Sequence, residues 1–576
     1  MIGIKIKNQW LDLRPDTQMS FSLTNPLYTG GNSDVIQGSY SFPINIPLSP
    51  RNQRTLNYPD RITAIDPLLK KESCEVWFNG ALLFKGEATI SSANNSSASL
   101  YVVVNNLSEL KKKKMNELDL GSVTLGTSQD DILTKMYTRA FSPFDKDYLF
   151  FPIWNPGFGW VENEDGSYDY TDGFFQNAWN PELQNNVIGR FEAYGPKTPF
   201  FKLRFILERM MESLGFSANV EFLDDRELEL ISLYSNKDIR VDGVMPLEIE
   251  IASCMNSETA SSFLKNSLRL FNAAPVVNIF ENVVEFLSLR NVLKRSTKRD
   301  WTKYASVNYG LQQTTDFPGI FRFKNDRGGI IEDISDIPIR TILSFDGLIV
   351  DPFDDTTYVY YVVDQDRYFY YKGQTITPLI FDNEVIEDED GDPYESAISF
   401  LPTFRVLFQN QGNKFFDTHA VFNPGSIKHY ERIQDAKFEN RLLWYRGFHQ
   451  NINGFFGPES SADIKTTFGD PVQVGFYDDG TINGVPDELR ATPAKHSGNW
   501  PEDSGIHQNS WSGISGLLND NKRVTRSFQL PLSEIVGFSF ADKVRVENMD
   551  YLVRNLNVTL TNNGLKPVKA DLLAVT

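Results

Sequence analysis

Two cysteines, five histidines and one dense acidic run are the residues of this 576-residue chain best suited to chemistry. A cysteine nucleophile needs its thiolate beside a histidine base. Cys254 lies in Ala252-Ser-Cys-Met-Asn256, and the next histidine along the chain is His419. Cys74 opens a strand-like run. Both are expected to be buried structural thiols. His419, His429, His449, His496 and His507 fall in one stretch, yet no two stand at i,i+3 or i,i+4, and no cysteine joins them. That spacing lacks the pattern of a metal centre and suits loop caps or an interface.

The run Glu387-Asp-Glu-Asp390-Gly391-Asp392 invites calcium. A helix–loop–helix calcium site wants glycine sixth and a carboxylate twelfth. Counting from Asp388 puts Gly391 fourth and Ser399 twelfth, so the pattern fails and a solvated hairpin tip is expected; only an irregular calcium loop stays open. Lys111 to Lys114 follow Leu107-Ser-Glu-Leu110 and read as a solvated helix turn, without the interleaved aromatics of a nucleic-acid platform. The chain has no phosphate loop and no dinucleotide fingerprint; Gly513-Ile-Ser515-Gly516 falls one residue short of a nucleophile elbow. No catalytic, cofactor-binding or metal-binding residues are nominated. Trp154, Trp160 and Trp179 remain as candidate interface or sugar-facing aromatics, because flat rings beside amides and carboxylates serve both purposes.

The elements that would position these residues are mostly strands. Aromatics make up 13% of the chain, and short aromatic or β-branched runs alternate with turn residues. Cys74 to Phe78, the turn signal Asn79-Gly80 and Leu82 to Gly86 predict a hairpin, with a further strand over Ala98 to Val104. Residues 1–124 are expected to form a β domain, and 125–198 an aromatic, loop-rich connector with a hairpin tip at Asp165-Gly166. Residues 199–300 predict an α+β module. There Thr198-Pro199 reads as a helix start, and Leu203, Ile206, Leu207, Met210 and Leu214 recur at helical spacing up to Gly215. Asp224 and Glu227 predict a capping box for a second helix over Glu227 to Leu233. Ser257 to Phe271 predicts a third helix, and Val276 to Leu289 strand structure. Residues 301–525 read as β- and loop-rich, with a tyrosine-rich strand pair over Tyr358 to Tyr371. Residues 526–576 read as an antiparallel meander turning at Asn548 and at Asn562-Asn563-Gly564.

Composition narrows the function classes. The length predicts several domains, and the hydrophobic fraction of 41% is that of a folded chain. A formal charge of −19 argues against nucleic acid as the main ligand. Two cysteines cannot supply a disulfide framework. Lys5, Lys7 and Trp10 interrupt the start, so a cleaved secretory signal is not expected, nor is a membrane span, and the chain should be made in the cytoplasm and stay soluble.

The order of these pieces resembles tail-tip or baseplate hub proteins of tailed bacteriophages, of the kind found in phages and prophages of Bacteroidetes-type hosts. Four places carry the resemblance. Asp34-Val-Ile-Gln-Gly38-Ser-Tyr-Ser-Phe42-Pro43 precedes the hairpin from Val76 to Gly86, and Thr198-Pro-Phe-Phe201 leads to Leu214-Gly-Phe216. Phe263 to Phe271 leads to Val283-Val-Glu-Phe286 and Asp300-Trp301, and the strands from Val544 to Leu573 close the chain. The resemblance implies β-barrel or sandwich domains and a homo-oligomeric ring, commonly a trimer and otherwise a hexamer, in the virion tail. It implies a distal tail protein, a tape measure protein and spike or fibre proteins as neighbours. DNA would pass through the ring without specific binding, after assembly in the host cytoplasm. A distal tail protein ring and a carbohydrate-binding or wall-degrading tail protein are the alternatives.

Overall fold

The computed structural model describes residues 1–28, 40–41, 43–61, 71–103, 106–144, 146–155, 160–162, 168–170, 174–180, 190–191, 195–241, 243–278, 282–313 and 522–575. Between 314 and 521 it describes 322–325, 339–342, 358–362, 367–372, 375–378, 384–386, 393–396, 398–400, 403–409, 415–421, 440–450, 473–478 and 505–512. The fold is mostly β with few helices, and its described apolar side chains gather into two cores.

The first core backs a 15-stranded sheet. Alternation builds its strands: Ile2, Ile4 and Ile6 are buried while Gly3 and Lys5 face outward. Three turns set the register. Lys7-Asn8, Asn79-Gly80 and Glu547-Asn548 all have positive φ at both positions, the geometry that matches the twist of a two-residue hairpin. The hairpin expected around Asn79-Gly80 is present, joining Glu72–Phe78 to Ala81–Ala93. The two ends of the chain share this sheet. Gln18–Thr24 pairs antiparallel with Met549–Thr561, from Gln18 opposite Thr561 to Thr24 opposite Asn555. The Ile2 amide donates to Asn562 Oδ1 at 3.0 Å and Asn25 Nδ2 to the Val553 carbonyl at 3.0 Å. Two expected C-terminal strands, around Tyr551 and Val558, are one strand, Met549–Thr561, that passes through a bulge between Val553 and Asn555 instead of a turn.

The second core lies among helices Gln129–Phe141, Leu203–Glu212 and Ala260–Leu270 and strands that include Arg441–Gln450. The third expected helix is present, capped by Thr259 Oγ1, which accepts from the Ser262 amide. The first expected helix starts later than Thr198-Pro199. Phe200–Phe201 is a strand against Tyr148–Leu149, and the helix begins at Leu203. It ends as expected at Gly215, whose φ of +82° suits glycine. The helix expected over Glu227 to Leu233 is absent. Asp225 Oδ1 takes the Glu227 amide in a local turn, a short 3₁₀ turn covers Leu228–Leu230, and Ile231–Leu233 pairs as a strand with Leu442 to Trp444. Strand pairing outcompeted the local helical propensity.

One hairpin separates the cores. On Ala273–Asn278 and Val283–Ser288, Ala274, Val276 and Leu287 belong to the first core, whereas Val284 and Phe286 belong to the second. A two-residue period thus gives one hairpin two apolar faces. No helix among the described residues is long and apolar enough to cross a membrane.

Candidate interaction region and the charged cleft beside it

The roots of the 125–198 segment are held by polar side chains that are almost wholly buried. Asn177 Nδ2 donates to the carbonyls of Phe151 at 3.2 Å and Thr198 at 2.8 Å, and its Oδ1 accepts from the Thr198 amide at 2.9 Å. Asn177 sits at φ +56°, a left-handed conformation that asparagine tolerates better than most residues. Gln176 Nε2 donates to Thr198 Oγ1 and to the Ser235 carbonyl, and its Oε1 accepts from the Tyr234 hydroxyl at 3.1 Å. Thr198, the expected helix cap, instead donates its hydroxyl to the Lys237 carbonyl at 2.8 Å. Asp238 accepts from the Lys197 amide and two nitrogens of Arg240, the latter an ion pair 9% and 4% exposed. Such a network is favourable because nearly every desolvated group finds a partner. Asn236 is the exception: it is fully buried, and among the described residues neither of its side-chain polar atoms has a hydrogen-bond partner.

From this clamp rise the strands that carry the three candidate tryptophans. Trp154 is in Ile153–Asn155, between Phe174–Gln176 and Phe415–Val421. Trp160 is opposite Tyr170 in the antiparallel pair that flanks the expected hairpin tip, Asp165-Gly166, which lies outside the described residues. Trp179 is opposite Phe191 in a further strand pair. The three backbones thus belong to three different sheets.

Elsewhere among these elements is a cleft of about 420 Å³. Phe222, Phe271 and Trp444 give it an aromatic floor, and Glu221, Asp224, Asp225, Arg290 and Lys294 line it. Glu221, Asp224 and Arg290 are engaged within the protein. Glu221 pairs with Arg295, Asp224 with Arg204 at 2.7 Å, and Arg290 donates to the Gln508 and Asn509 carbonyls. Trp444 Nε1 donates to the Glu227 carbonyl at 2.7 Å. Arg295 thus holds the Glu221 turn and Arg290 the 505–512 segment.

The residues singled out for chemistry are placed as follows. Cys74 and Cys254 are buried; burial pushes the Cys74 thiol up to about 12 and raises that of Cys254 as well, the opposite of an activated nucleophile. His419 and His449 lie on strands, opposite Ile153 and Tyr477, and His507 starts the turn His507–Trp511. His429, His496, the acidic run 387–392 and Gly513 to Gly516 lie outside the described residues. Lys111 to Lys114 are exposed, though only Lys111 belongs to a 3₁₀ helix, Asn106–Lys111. Among the described residues no group of three or more His, Cys, Asp or Glu side chains is placed to hold a metal ion. The buried amides of the clamp were not visible in the sequence, where Gln176, Asn177 and Asn236 have no periodic signature.

No protein-family model matches the chain, and no curated protein matches it. Among solved structures it is similar to the 43 kDa tail protein of prophage MuSo2 from Shewanella oneidensis, at 8% identity and a TM-score of 0.31, over 100% of this chain and 98% of that one. A tail protein from Neisseria meningitidis MC58 has 7% identity and a TM-score of 0.30, over 99% and 95% of the two chains. Prophage tail protein gp18 from Listeria monocytogenes EGD-e has 8% and 0.30, over 99% and 94%. Similarity at this level carries no argument about family or activity.

Proposed function

We propose that this chain is a structural protein of a bacteriophage tail tip or baseplate, a ring-like hub that joins the tail tube to the spike or fibres. The observation that carries the reading is how the resembling segments assemble. The Val76 to Gly86 hairpin, the Asp300-Trp301 pair and the closing strands share one sheet or its core, although hundreds of residues separate them. The Thr198 to Phe216 and Phe263 to Phe286 segments lie in the adjoining body, joined to that sheet through one hairpin. A mostly β body beside a smaller α+β module agrees with the β-barrel or sandwich domains that the resemblance implies.

In this reading the mechanism is assembly, not turnover. Copies close a cyclic interface, and aromatic loops of the 125–198 and 345–520 regions contact the distal tail protein, the tape measure protein and the spike or fibres. Negative charge facing the channel would let DNA pass without sticking. Gold-labelled antibody against the chain should mark the tip end of intact tails. Label on the head or along the fibres alone would refute the reading, and a lumen lined mainly by Lys and Arg would refute the charge argument.

A further inference from the structure

The cleft of about 420 Å³ has a size that suits a small ligand, and residues of 221–228, 288–294 and 506–510 wall it together with Trp444. Its charges are unevenly spent. On one wall Glu221 and Asp224 are neutralised by Arg295 and Arg204. On another, helix Leu289–Lys294 carries Arg290 and Lys294 one turn apart, and neither meets a carboxylate among the described residues. Arg290 donates through Nη1 alone, to Gln508 and Asn509, and Lys294 Nζ has no hydrogen-bond partner among the described residues. Like charges at this spacing repel, and an anion between them relieves the repulsion. With Asp225 included, Arg204, Arg290, Lys294 and Arg295 stand against Glu221, Asp224 and Asp225, which leaves one positive charge in excess. The chain as a whole has a formal charge of −19.

Neutral and acceptor groups of the cleft are uncommitted as well. The Asn291 side-chain amide makes no hydrogen bond among the described residues. Its backbone amide donates to Ser288 Oγ at 3.2 Å, which leaves the Ser288 hydroxyl proton for another acceptor. Asp224 meets Arg204 through Oδ1, and nothing described donates to its Oδ2. Donors and acceptors set side by side suit hydroxyl groups, which do both. Phe222 and Phe271 add apolar surface, which suits the C–H face of a saturated ring.

We propose that this cleft binds a small anionic sugar. Arg290 and Lys294 hold its carboxylate or phosphate, and Asn291, Ser288 and Asp224 hold its hydroxyls. The excess positive charge selects an anion, and the surrounding walls select a small molecule over an extended polymer. A bare inorganic anion would leave the amide, the hydroxyl and Asp224 unmet, whereas a neutral sugar would leave both cations unmet.

Isothermal titration of the full chain with glucuronate, a glucose phosphate, glucose and inorganic phosphate tests this. At least one of the two anionic sugars should bind about tenfold or more tightly than glucose or phosphate, and which one binds says whether the anion is carboxylate or phosphate. Lys294→Gln should weaken that sugar about tenfold, the loss expected of one charge-assisted hydrogen bond. It should leave the melting temperature unchanged, because Nζ has no partner to lose. Asn291→Ala, the second variant, should weaken the same sugar several-fold. Glucose binding as tightly as the anionic sugars would overturn the proposal. Equal binding of inorganic phosphate would do the same, as it would mean an adventitious ion only. So would wild-type affinity in both variants, or no binding of any probe at millimolar concentration. Preference for an Asp-Glu dipeptide would make the cleft a peptide site and would also overturn it. The sugar needs only the single chain, so this proposal and the ring reading fail separately.

Discussion

The two bodies of this molecule are held together in different ways. The sheet body is sealed by apolar burial and short turns, with strands from the two ends of the chain side by side. The second body has a larger share of helix and anchors its aromatic segment on buried amides, hydroxyls and one nearly buried ion pair. Apolar packing tolerates small errors of position, whereas a buried hydrogen-bond network loses a desolvated partner with each change. The sheet body is therefore suited to a rigid frame, and the second to holding irregular chain in one shape.

Removing the largest buried ring should break the frame. Trp301 is fully buried, packs on Phe528 and Phe538 at 5.3 and 5.6 Å, and donates to Glu534. Trp301→Ala should cost about 4 kcal/mol, the usual loss for an aromatic truncated in a core. Denaturant unfolding checks it, and a loss under about 1 kcal/mol would mean that the frame does not depend on this packing.

In the second body Asn177→Ala leaves two carbonyls and one amide without their side-chain partner and forces alanine to a φ of +56°. A loss of about 3 kcal/mol is expected from the unpaired groups. Limited proteolysis should show new cuts between residues 145 and 200 while the sheet body stays intact. Equal loosening of both bodies would contradict the division drawn here.

The strengths of the two bodies also explain what the sequence could reveal. The hairpin at Asn79-Gly80, the strand pair flanking Asp165-Gly166, the helix ending at Gly215 and the helix behind Thr259 all depend on neighbouring residues, and all were legible. The pairing of Gln18–Thr24 with Met549–Thr561 was not, because nothing local records a partner more than 500 residues away. The Ile231–Leu233 strand was mistaken for helix because its partner, Leu442 to Trp444, lies more than 200 residues away. Among site residues the thiols were read correctly as buried. The clamp was missed because a buried asparagine looks like a loop asparagine until its neighbours are known.

A smaller effect sharpens the contrast in the opposite direction. Asn236 is buried without a hydrogen-bond partner among the described residues, so Asn236→Leu should stabilise the second body by about 1 kcal/mol by removing an unpaired amide. A destabilised variant on thermal melting would show that the amide has a partner in solution.

Acid should act with opposite signs on carboxylates such as Asp571 of the sheet body and Glu208 of the second body. In the sheet body, burial alone would raise Asp571, but Arg523 and Thr525 donate to it and the net direction is down. Arg545 and Thr297 lower Asp550. Stability from such groups is present above the unfolded value of about 3.9 and is lost as pH falls through the lower folded value. In the second body, burial raises Glu208. Its charged form is penalised above that raised value, and protonation relieves the penalty as pH falls. Glu208→Gln should therefore gain stability at pH 7 and none at low pH, and Asp571→Asn should flatten the acid limb of the sheet body. Hydrogen exchange read separately on the two bodies from pH 7 to 3 checks both signs.

The proposed ring at the tip of a phage tail is tested most directly by a cryo-electron reconstruction of an intact tail tip. Three or six copies of the 15-stranded sheet arranged around the tail axis and enclosing a channel are expected. Single copies off the axis, or a tip whose axial density cannot hold this sheet, would contradict it.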